Sequence, residues 1–148
     1  MLEEFKIEKY DERFRTNLIQ VWENSVGATH KFLDPKDIDY FKGIVEQIDF
    51  RTLSLFCLNV NSNFAGFIGV LDKKVEMLFL DPKYTNKGFG KKLMAFVIEE
   101  LGVNKVDVNE QNIEAVKFYK KLGFETYDRT EKDSSGKDYP ILLMKMND

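Results

Sequence analysis

Little in this 148-residue chain invites disulfide or metal chemistry. There is one cysteine, Cys57, which excludes an internal disulfide and fits a reducing compartment. There is one histidine, His30, and no cluster of side chains has metal-ligand spacing, so no metal is expected. Prolines number three, and no repeat, low-complexity segment or linker interrupts residues 1–148, which read as a single domain. No apolar run approaches a membrane-spanning length, and the acidic start Met1-Leu2-Glu3-Glu4-Phe5 does not read as a signal peptide. A formal charge of −3 gives no general attraction to nucleic acid or an anionic membrane. The cytoplasm is the expected compartment, and the chain is expected as a monomer or homodimer.

What is present is globular. A hydrophobic share of 43% against 32% charged excludes a disordered chain, and thirteen phenylalanines point to an aromatic-heavy core. Phe5-Lys6-Ile7-Glu8 alternates as a first strand. Phe14, Leu18, Val21, Trp22 and Val26 share one helical face, with Gly27 expected to end that helix. Asp34-Pro35-Lys36-Asp37 reads as a helix start, followed by a buried stripe of Ile38, Phe41, Ile44, Val45 and Ile48. Leu53 to Leu58 and Phe64 to Val70 read as strands joined by Asn61-Ser62-Asn63, and Asp72-Lys73 turns the chain into a strand ending at Leu80. A strand from Val103 to Asn109, a helix from Glu110 to Leu122 and a strand from Phe124 to Arg129 follow. Asp133-Ser134-Ser135-Gly136-Lys137 turns into a last strand, Ile141 to Met146. Such an order predicts a mixed α/β sheet.

Two stretches carry the chemistry. In the first, the mostly apolar Val75 to Leu80 reads as a strand covered on both faces. Asp81-Pro82 stops it, and Lys87-Gly88-Phe89-Gly90-Lys91 leads into a helix whose apolar positions include Phe89, Leu93, Val97 and Leu101. The first turn of such a helix has unpartnered N–H groups at the positive end of its dipole, a place suited to phosphate. It is neither a P-loop, lacking Gly-Lys-Ser/Thr, nor a dinucleotide fingerprint, since Leu93 stands where a third glycine is needed. The second stretch is Asn112-Ile113-Glu114-Ala115-Val116-Lys117-Phe118-Tyr119-Lys120-Lys121-Leu122-Gly123-Phe124.

Together these two stretches resemble the GNAT acetyltransferase superfamily. Ala28-Thr29-His30-Lys31-Phe32-Leu33, Val108-Asn109-Glu110-Gln111-Asn112 and Gly136-Lys137-Asp138-Tyr139-Pro140 are similar to the YjaB-type bacterial acetyltransferases, which extends the resemblance to nearly the whole chain. The loop departs from the usual pattern: Thr85 and Asn86 stand where Arg or Gln and then Gly are common. One phosphate-side donor and one glycine are thereby lost, although Asn tolerates a left-handed backbone better than most residues. The resemblance implies a central mixed, mostly antiparallel sheet of six to seven strands flanked by about four helices. It also implies acetyl-CoA as co-substrate.

In that frame, acetyl-CoA would set its pyrophosphate on the N–H groups of Lys87, Gly88, Phe89, Gly90 and Lys91. Its pantetheine would run along the strand edge at Leu78, Phe79 and Leu80, with an N–H near Leu78 toward the acetyl oxygen. Tyr119 is the family's usual general acid; a phenol, with pKa about 10, is protonated at neutral pH and can serve a departing thiolate. Read from its helix alone, it is better taken as an aromatic core partner of Phe118, and the full motif turns the reading to the acid. Asn112 is a coenzyme hydrogen-bond donor or a helix-start residue. Two residues are candidate bases. Glu76 lies on the central strand with the parity of Leu78 and Leu80, either half-buried with a raised pKa or solvent-facing. His30 lies on the connection after the first helix, as a proton acceptor or a plain surface residue. Glu76 is preferred because the sheet holds it in place. Cys57 reads as a small core hydrophobe.

The expected function is acetyl-CoA-dependent N-acetyl transfer to a small-molecule or peptide amine by direct attack in a ternary complex. A non-catalytic acyl-CoA-binding regulatory domain is the alternative, and a generic nucleotide-phosphate binder is a third reading.

Overall fold

The computed structural model describes residues 4–146; Met1-Leu2-Glu3, on which the leader-peptide expectation falls, lies outside the described residues. Seven strands form one sheet: β1 (Phe5–Lys9), β2 (Ser54–Val60), β3 (Asn63–Leu71), β4 (Lys74–Leu80), β5 (Lys105–Asn109), β6 (Phe124–Thr130) and β7 (Ile141–Met146). Four helices accompany them: α1 (Arg15–Thr29), α2 (Pro35–Gln47), α3 (Phe89–Leu101) and α4 (Ile113–Lys121). The strand order is β1-β2-β3-β4-β5-β7-β6, antiparallel everywhere except between β4 and β5. This is the mixed, mostly antiparallel sheet the resemblance implied.

The first half of the sheet is built by tight turns. Asn61 and Ser62 (φ 49° and 68°) join β2 to β3, and Asp72 and Lys73 (φ 51° and 65°) join β3 to β4. Two consecutive left-handed residues match the twist of a hairpin, which explains the polar pairs at these positions. The sheet then separates two cores. Leu18, Trp22 and Val26 of α1 pack on Leu55, Cys57 and Phe67 on one face. Leu93, Met94 and Val97 of α3, with Tyr119 of α4, pack on Ile68, Val106 and Met144 on the other. Burial pushes the Cys57 thiol up to about 12, with Glu8 adding to the shift, and this leaves it an inert core residue.

Three expectations need correction. Helix α1 runs through Gly27 to Thr29, and His30 closes it with its N–H on the Val26 carbonyl at 2.9 Å. A single glycine weakens a helix without stopping it when the flanking turns are packed, as Ser25 and Val26 are here. Helix α2 begins as read, with the Asp34 carboxylate accepting from Lys36 N–H and Pro35 in the first turn. Of its expected stripe only Val45 is fully buried; Ile44 is 40% exposed and Ile48 lies past the helix end. The helix leans on α1 rather than on the sheet. Its last turn is held by the Arg15 guanidinium, which donates to the carbonyls of Glu46 (2.7 Å) and Ile48 (3.0 Å). Finally, β4 is not covered on both faces, because only Val75 is fully buried and Met77 to Leu80 are half-buried.

Gly66 sets how closely β3 can approach that open strand. A Cβ there would lie 2.6 Å from both the Phe79 carbonyl oxygen and Leu80 Cδ2. Gly66→Ala is therefore expected to push β4 away and lower stability by about 1–3 kcal/mol, read from urea unfolding. A variant as stable as the parent would show that β4 yields there at no cost.

Candidate active site

The register between β3 and β4 pairs Gly69 with Met77 and then Val70 with Val75, so Glu76 is an extra residue on β4. A bulge of this kind bends its strand and re-aims a side chain. Strand β5 pairs with β4 only at Lys74↔Lys105 and Val75↔Val106. Beyond that point the two strands part, and the β5-facing side of Glu76 to Leu80 is left without a strand partner. An extended ligand bearing amide groups can add itself to such an edge.

Three connected cavities follow the parting. The innermost, about 150 Å³, is bordered by Glu76, Leu78, Asp107, Val108 and Asn112. It shares His30, Phe79 and Tyr119 with a space of about 540 Å³ that reaches Thr29, Leu80, Asn86 and Gly90. That space shares Asn86, Gly90 and Phe118 with a third, about 380 Å³, bordered by Gly88, Phe89, Lys91 and Lys121. A separate depression of about 430 Å³ beside β1, bordered by Lys6, Arg13 and Asn59, holds none of the motif residues.

The loop end of this channel is shaped for an anion. Asn86 adopts φ 60° and Gly88 φ 84°, so Asn86 does take the left-handed backbone that a glycine would otherwise supply. Lys92 N–H makes a bond to the Gly88 carbonyl at 3.1 Å. The N–H groups of Phe89, Gly90 and Lys91 therefore belong to the first turn, where no intrahelical acceptor exists. The two glycines differ in their surroundings. A Cβ at Gly88 would meet nothing within 4 Å, so its backbone conformation is what requires glycine. A Cβ at Gly90 would meet Phe118 Cζ at 3.4 Å, an ordinary packing distance, on the side of the helix that borders the channel. Lys121 borders the same cavity and adds a cation that the sequence reading did not single out. Lys87 turns to the Tyr84 ring, 6.0 Å from its centroid, and does not border the channel.

At the other end, Tyr119 is 7% exposed and meets Phe118 and Phe124 edge-on at 5.1 and 5.9 Å, while also bordering the channel. The packing and site readings thus describe one residue. Burial pushes its phenol up from the ordinary value, so it stays protonated at neutral pH. The Asn112 side-chain oxygen accepts from Ala115 N–H at 3.3 Å, capping α4. Asn112 also borders the channel, and its amide carries two N–H donors besides.

The two candidate bases differ sharply. The bulge breaks the strand's alternation at Glu76, which borders both the parting and the α1 and α2 cavity, while Leu78 and Leu80 pack toward the α3 and α4 core. Glu76 is exposed, 3.4 Å from Lys74 Nζ, which in turn binds Asp107 at 3.0 Å. His30 closes α1 and lies among Phe32 and Phe79, with centroids at 5.4 and 6.2 Å. Its Nδ1 is 2.7 Å from Thr29 Oγ1, and that hydroxyl donates its proton to the Ser25 carbonyl at 2.8 Å. With the hydroxyl proton on Ser25, Nδ1 is the donor to Thr29, and in that tautomer Nε2 keeps its lone pair. Burial pulls the His30 pKa from 6.5 down to about 4. The pair Ser25 and Thr29, four residues apart and ending beside the only histidine, was the available sequence signal for this arrangement.

On the α1 and α2 face lies a further cavity of about 300 Å³, which shares His30, Glu76, Met77 and Phe79 with the parting. The β6–β7 connection closes over it. Tyr139 accepts from Asp34 N–H at 3.0 Å and donates to Asp37 at 2.5 Å, and Lys137 binds Asp37 at 2.7 Å. Lys137 first, then Tyr139, hold the Asp37 carboxyl below its usual range. No group of three or more metal-ligating side chains occurs among the described residues.

A family profile described as an acetyltransferase (GNAT) domain matches residues 24–146. The chain belongs to the GNAT acetyltransferase family. It is 35% identical over 129 residues to the peptidyl-lysine N-acetyltransferase YjaB of Salmonella typhimurium, covering 84% of this chain and 86% of that protein. It is 33% identical over 125 residues to YjaB of Escherichia coli K12, covering 84% and 85%. The solution structure of apo YjaB from E. coli superposes with a TM-score of 0.85 at 29% identity, covering 98% of this chain and 97% of that one. As a GNAT enzyme the chain is an N-acetyltransferase, and acetyl-CoA is its co-substrate. The channel fits such a molecule: an anion cradle at one end, an unpaired strand edge along its length and a buried phenol at the other. Among the described residues no helix is long and apolar enough to cross a membrane.

Gly88→Val places a β-branched residue at φ 84°. From a left-handed penalty of at least ~1–2 kcal/mol, acetyl-CoA binding should weaken about tenfold or more. The readout is the ligand-induced rise in melting temperature. If the variant binds like the parent, the loop is structural only.

Proposed function

We propose that the enzyme moves the acetyl group directly to a primary amine in a ternary complex, with His30 accepting the amine's proton and Tyr119 supplying one to the sulfur. The observation that carries this reading is the Ser25–Thr29–His30 hydrogen-bond chain, which in the Nδ1–H tautomer leaves Nε2 its lone pair, at the residue shared by the coenzyme channel and the second cavity. The magnitudes decide when that base can act. An alkylammonium titrates near 10.4, about six units above His30, so His30 cannot strip the ammonium in water. Apolar surroundings depress an amine's pKa by several units, and Trp22, Val26 and Phe41 provide them. As the nitrogen lone pair enters the new C–N bond, the remaining N–H protons become acidic enough for an imidazole. One bond forms (C–N) and one breaks (C–S); His30 takes the nitrogen's proton and Tyr119 gives its own to the thiolate.

Glu76 fits a different task. Lys74, Glu76 and Asp107 sum to one negative charge at the parting, which attracts an ammonium ion. The acceptor we infer is a lysine-type primary amine, in keeping with the peptidyl-lysine activity that the two YjaB relatives carry in their names. The compartment we infer is the cytoplasm, in line with the single buried cysteine.

Tyr119→Phe should lower kcat on the order of 10²-fold while leaving coenzyme binding intact. Unchanged turnover at saturating substrates would reduce Tyr119 to a packing residue.

Protonation removes the Nε2 lone pair, and burial opposes protonation, so the acidic limb of the rate profile should fall near pH 4 rather than 6.5. His30→Ala should abolish that limb, and Glu76→Gln should keep it and raise the acceptor's KM. A limb lost in Glu76→Gln and kept in His30→Ala would exchange the two roles.

A further inference from the structure

The innermost cavity, about 150 Å³, passes through the parting and is lined differently on the two faces of the sheet. Val75, Leu78, Val106, Val108, Ala115 and Tyr119 border it from the α3 and α4 core. Met77 and Phe79 border it from the other core, beside His30, Glu76 and Asn109, all of which also border the second cavity. On the α3 and α4 side the wall is aliphatic and fixed. Val75 is 3% exposed, Val106 1% and Val108 7%. Ala115 stands four residues before Tyr119, so both project from the same face of α4. Its small side chain leaves open the space that a larger residue would fill. A methyl group is about the size of a water molecule, whose share of liquid volume is about 30 Å³. An acetyl methyl placed here therefore leaves room beside it. Among the described residues no lysine or arginine borders this cavity. Lys74 is held between Glu76 and Asp107, and the three sum to one negative charge.

We propose that the enzyme has a further activity, the transfer of short uncharged acyl groups longer than acetyl, propionyl above all, from their coenzyme A thioesters. The inference rests on the reading above, with the thioester beside Tyr119 and the amine arriving by the second cavity. Tyr119, Leu78 and Ala115 border both the coenzyme channel and the inner cavity, so an acyl chain continues from one into the other. It lies against Val106, Val108 and Ala115, on the face away from the amine. The chemistry is that of acetyl transfer. The C–N bond forms at the propionyl carbonyl carbon and the C–S bond breaks; His30 takes the nitrogen's proton, and Tyr119 gives its own to the thiolate. An added methylene buried against aliphatic walls gains binding. A succinyl group would instead bring a carboxylate to a net negative place with no cation bordering the cavity, which is strongly unfavourable. The buried valines close the pocket to long chains.

The whole chain is titrated with acetyl-CoA, propionyl-CoA, butyryl-CoA and succinyl-CoA, and affinities are read from the rise in melting temperature with ligand concentration. Propionyl-CoA should bind at least as tightly as acetyl-CoA, by up to about fourfold for one buried methylene. Succinyl-CoA should bind at least about tenfold more weakly than acetyl-CoA. Thiol release is then followed with Nα-acetyl-lysine methylamide as acceptor. Propionyl-CoA should give a kcat/KM within about tenfold of that for acetyl-CoA. Ala115→Val fills the pocket and should lower the propionyl-to-acetyl ratio of kcat/KM about tenfold or more. Val108→Ala widens it and should raise the butyryl-to-acetyl ratio by a similar factor. Damage to folding alone would lower all donors alike, so opposite shifts in the two ratios report the wall itself. Propionyl-CoA that binds more than about tenfold more weakly than acetyl-CoA overturns the proposal. So does propionyl-CoA that binds but is not turned over where acetyl-CoA is, and so do ratios unmoved in both variants. Thiol release from neither donor would sink the lysine-type acceptor reading, and the order of affinities alone would then uphold or overturn the acyl pocket.

Discussion

The parting of β4 and β5 is the constraint on which the rest of the molecule depends. Two parallel pairs hold the strands together at Val75 and Val106, and the bulge at Glu76 then turns β4 away. A sheet opened in its middle exposes backbone donors and acceptors that would ordinarily be paired, a state a protein keeps only when both halves are held from outside. The halves are held by the antiparallel ladder β1 to β4 on one side and the β5-β7-β6 ladder on the other. Each is anchored by its own packing: α1 and α3 with the first, α4 with the second.

Because the opening passes through the sheet, it connects two spaces of different character. The α3 and α4 side offers first-turn N–H groups, Lys91 and Lys121 at its far end, all suited to phosphate. The α1 and α2 side offers aromatic and aliphatic walls with a net negative group at its inner end. His30 stands where they meet, and both its neutrality and its tautomer follow from position: burial disfavours the imidazolium, and the Ser25–Thr29 chain of hydrogen bonds directs the Nδ1 proton. The β6–β7 connection is tied to the start of α2 by the Asp37, Lys137 and Tyr139 contacts, which join two segments about a hundred residues apart in sequence and roof the second space.

Much of this was legible in the residues. The polar pairs Asn61-Ser62 and Asp72-Lys73, the Asp34-Pro35 helix start and the Gly88-Phe89-Gly90 entry to α3 each act within a few residues of themselves. Local chemistry decides such features, so reading them requires no knowledge of distant contacts. The strand at Leu78 to Leu80 and the positions of Tyr119 and Asn112 followed from the family motifs, which encode the same local geometry.

Where the reading went astray, a distant partner was responsible. Gly27 failed to stop α1 because packing of the preceding turn outweighed its backbone freedom, and Ile44 stayed exposed because α2 leans on α1 and borders a cavity. Strand parity assumed an unbroken register at Glu76, and a one-residue bulge interrupts it there. By itself, then, the sequence determined the elements, most of their turns and caps, the glycine loop that opens α3 and the family, all set by interactions within a turn or a strand. Only the tertiary structure decided that a bulge falls at Glu76, that the His30 ring meets the Thr29 hydroxyl and which side chains wall the second cavity. Those depend on how separate segments meet, and no local pattern records that.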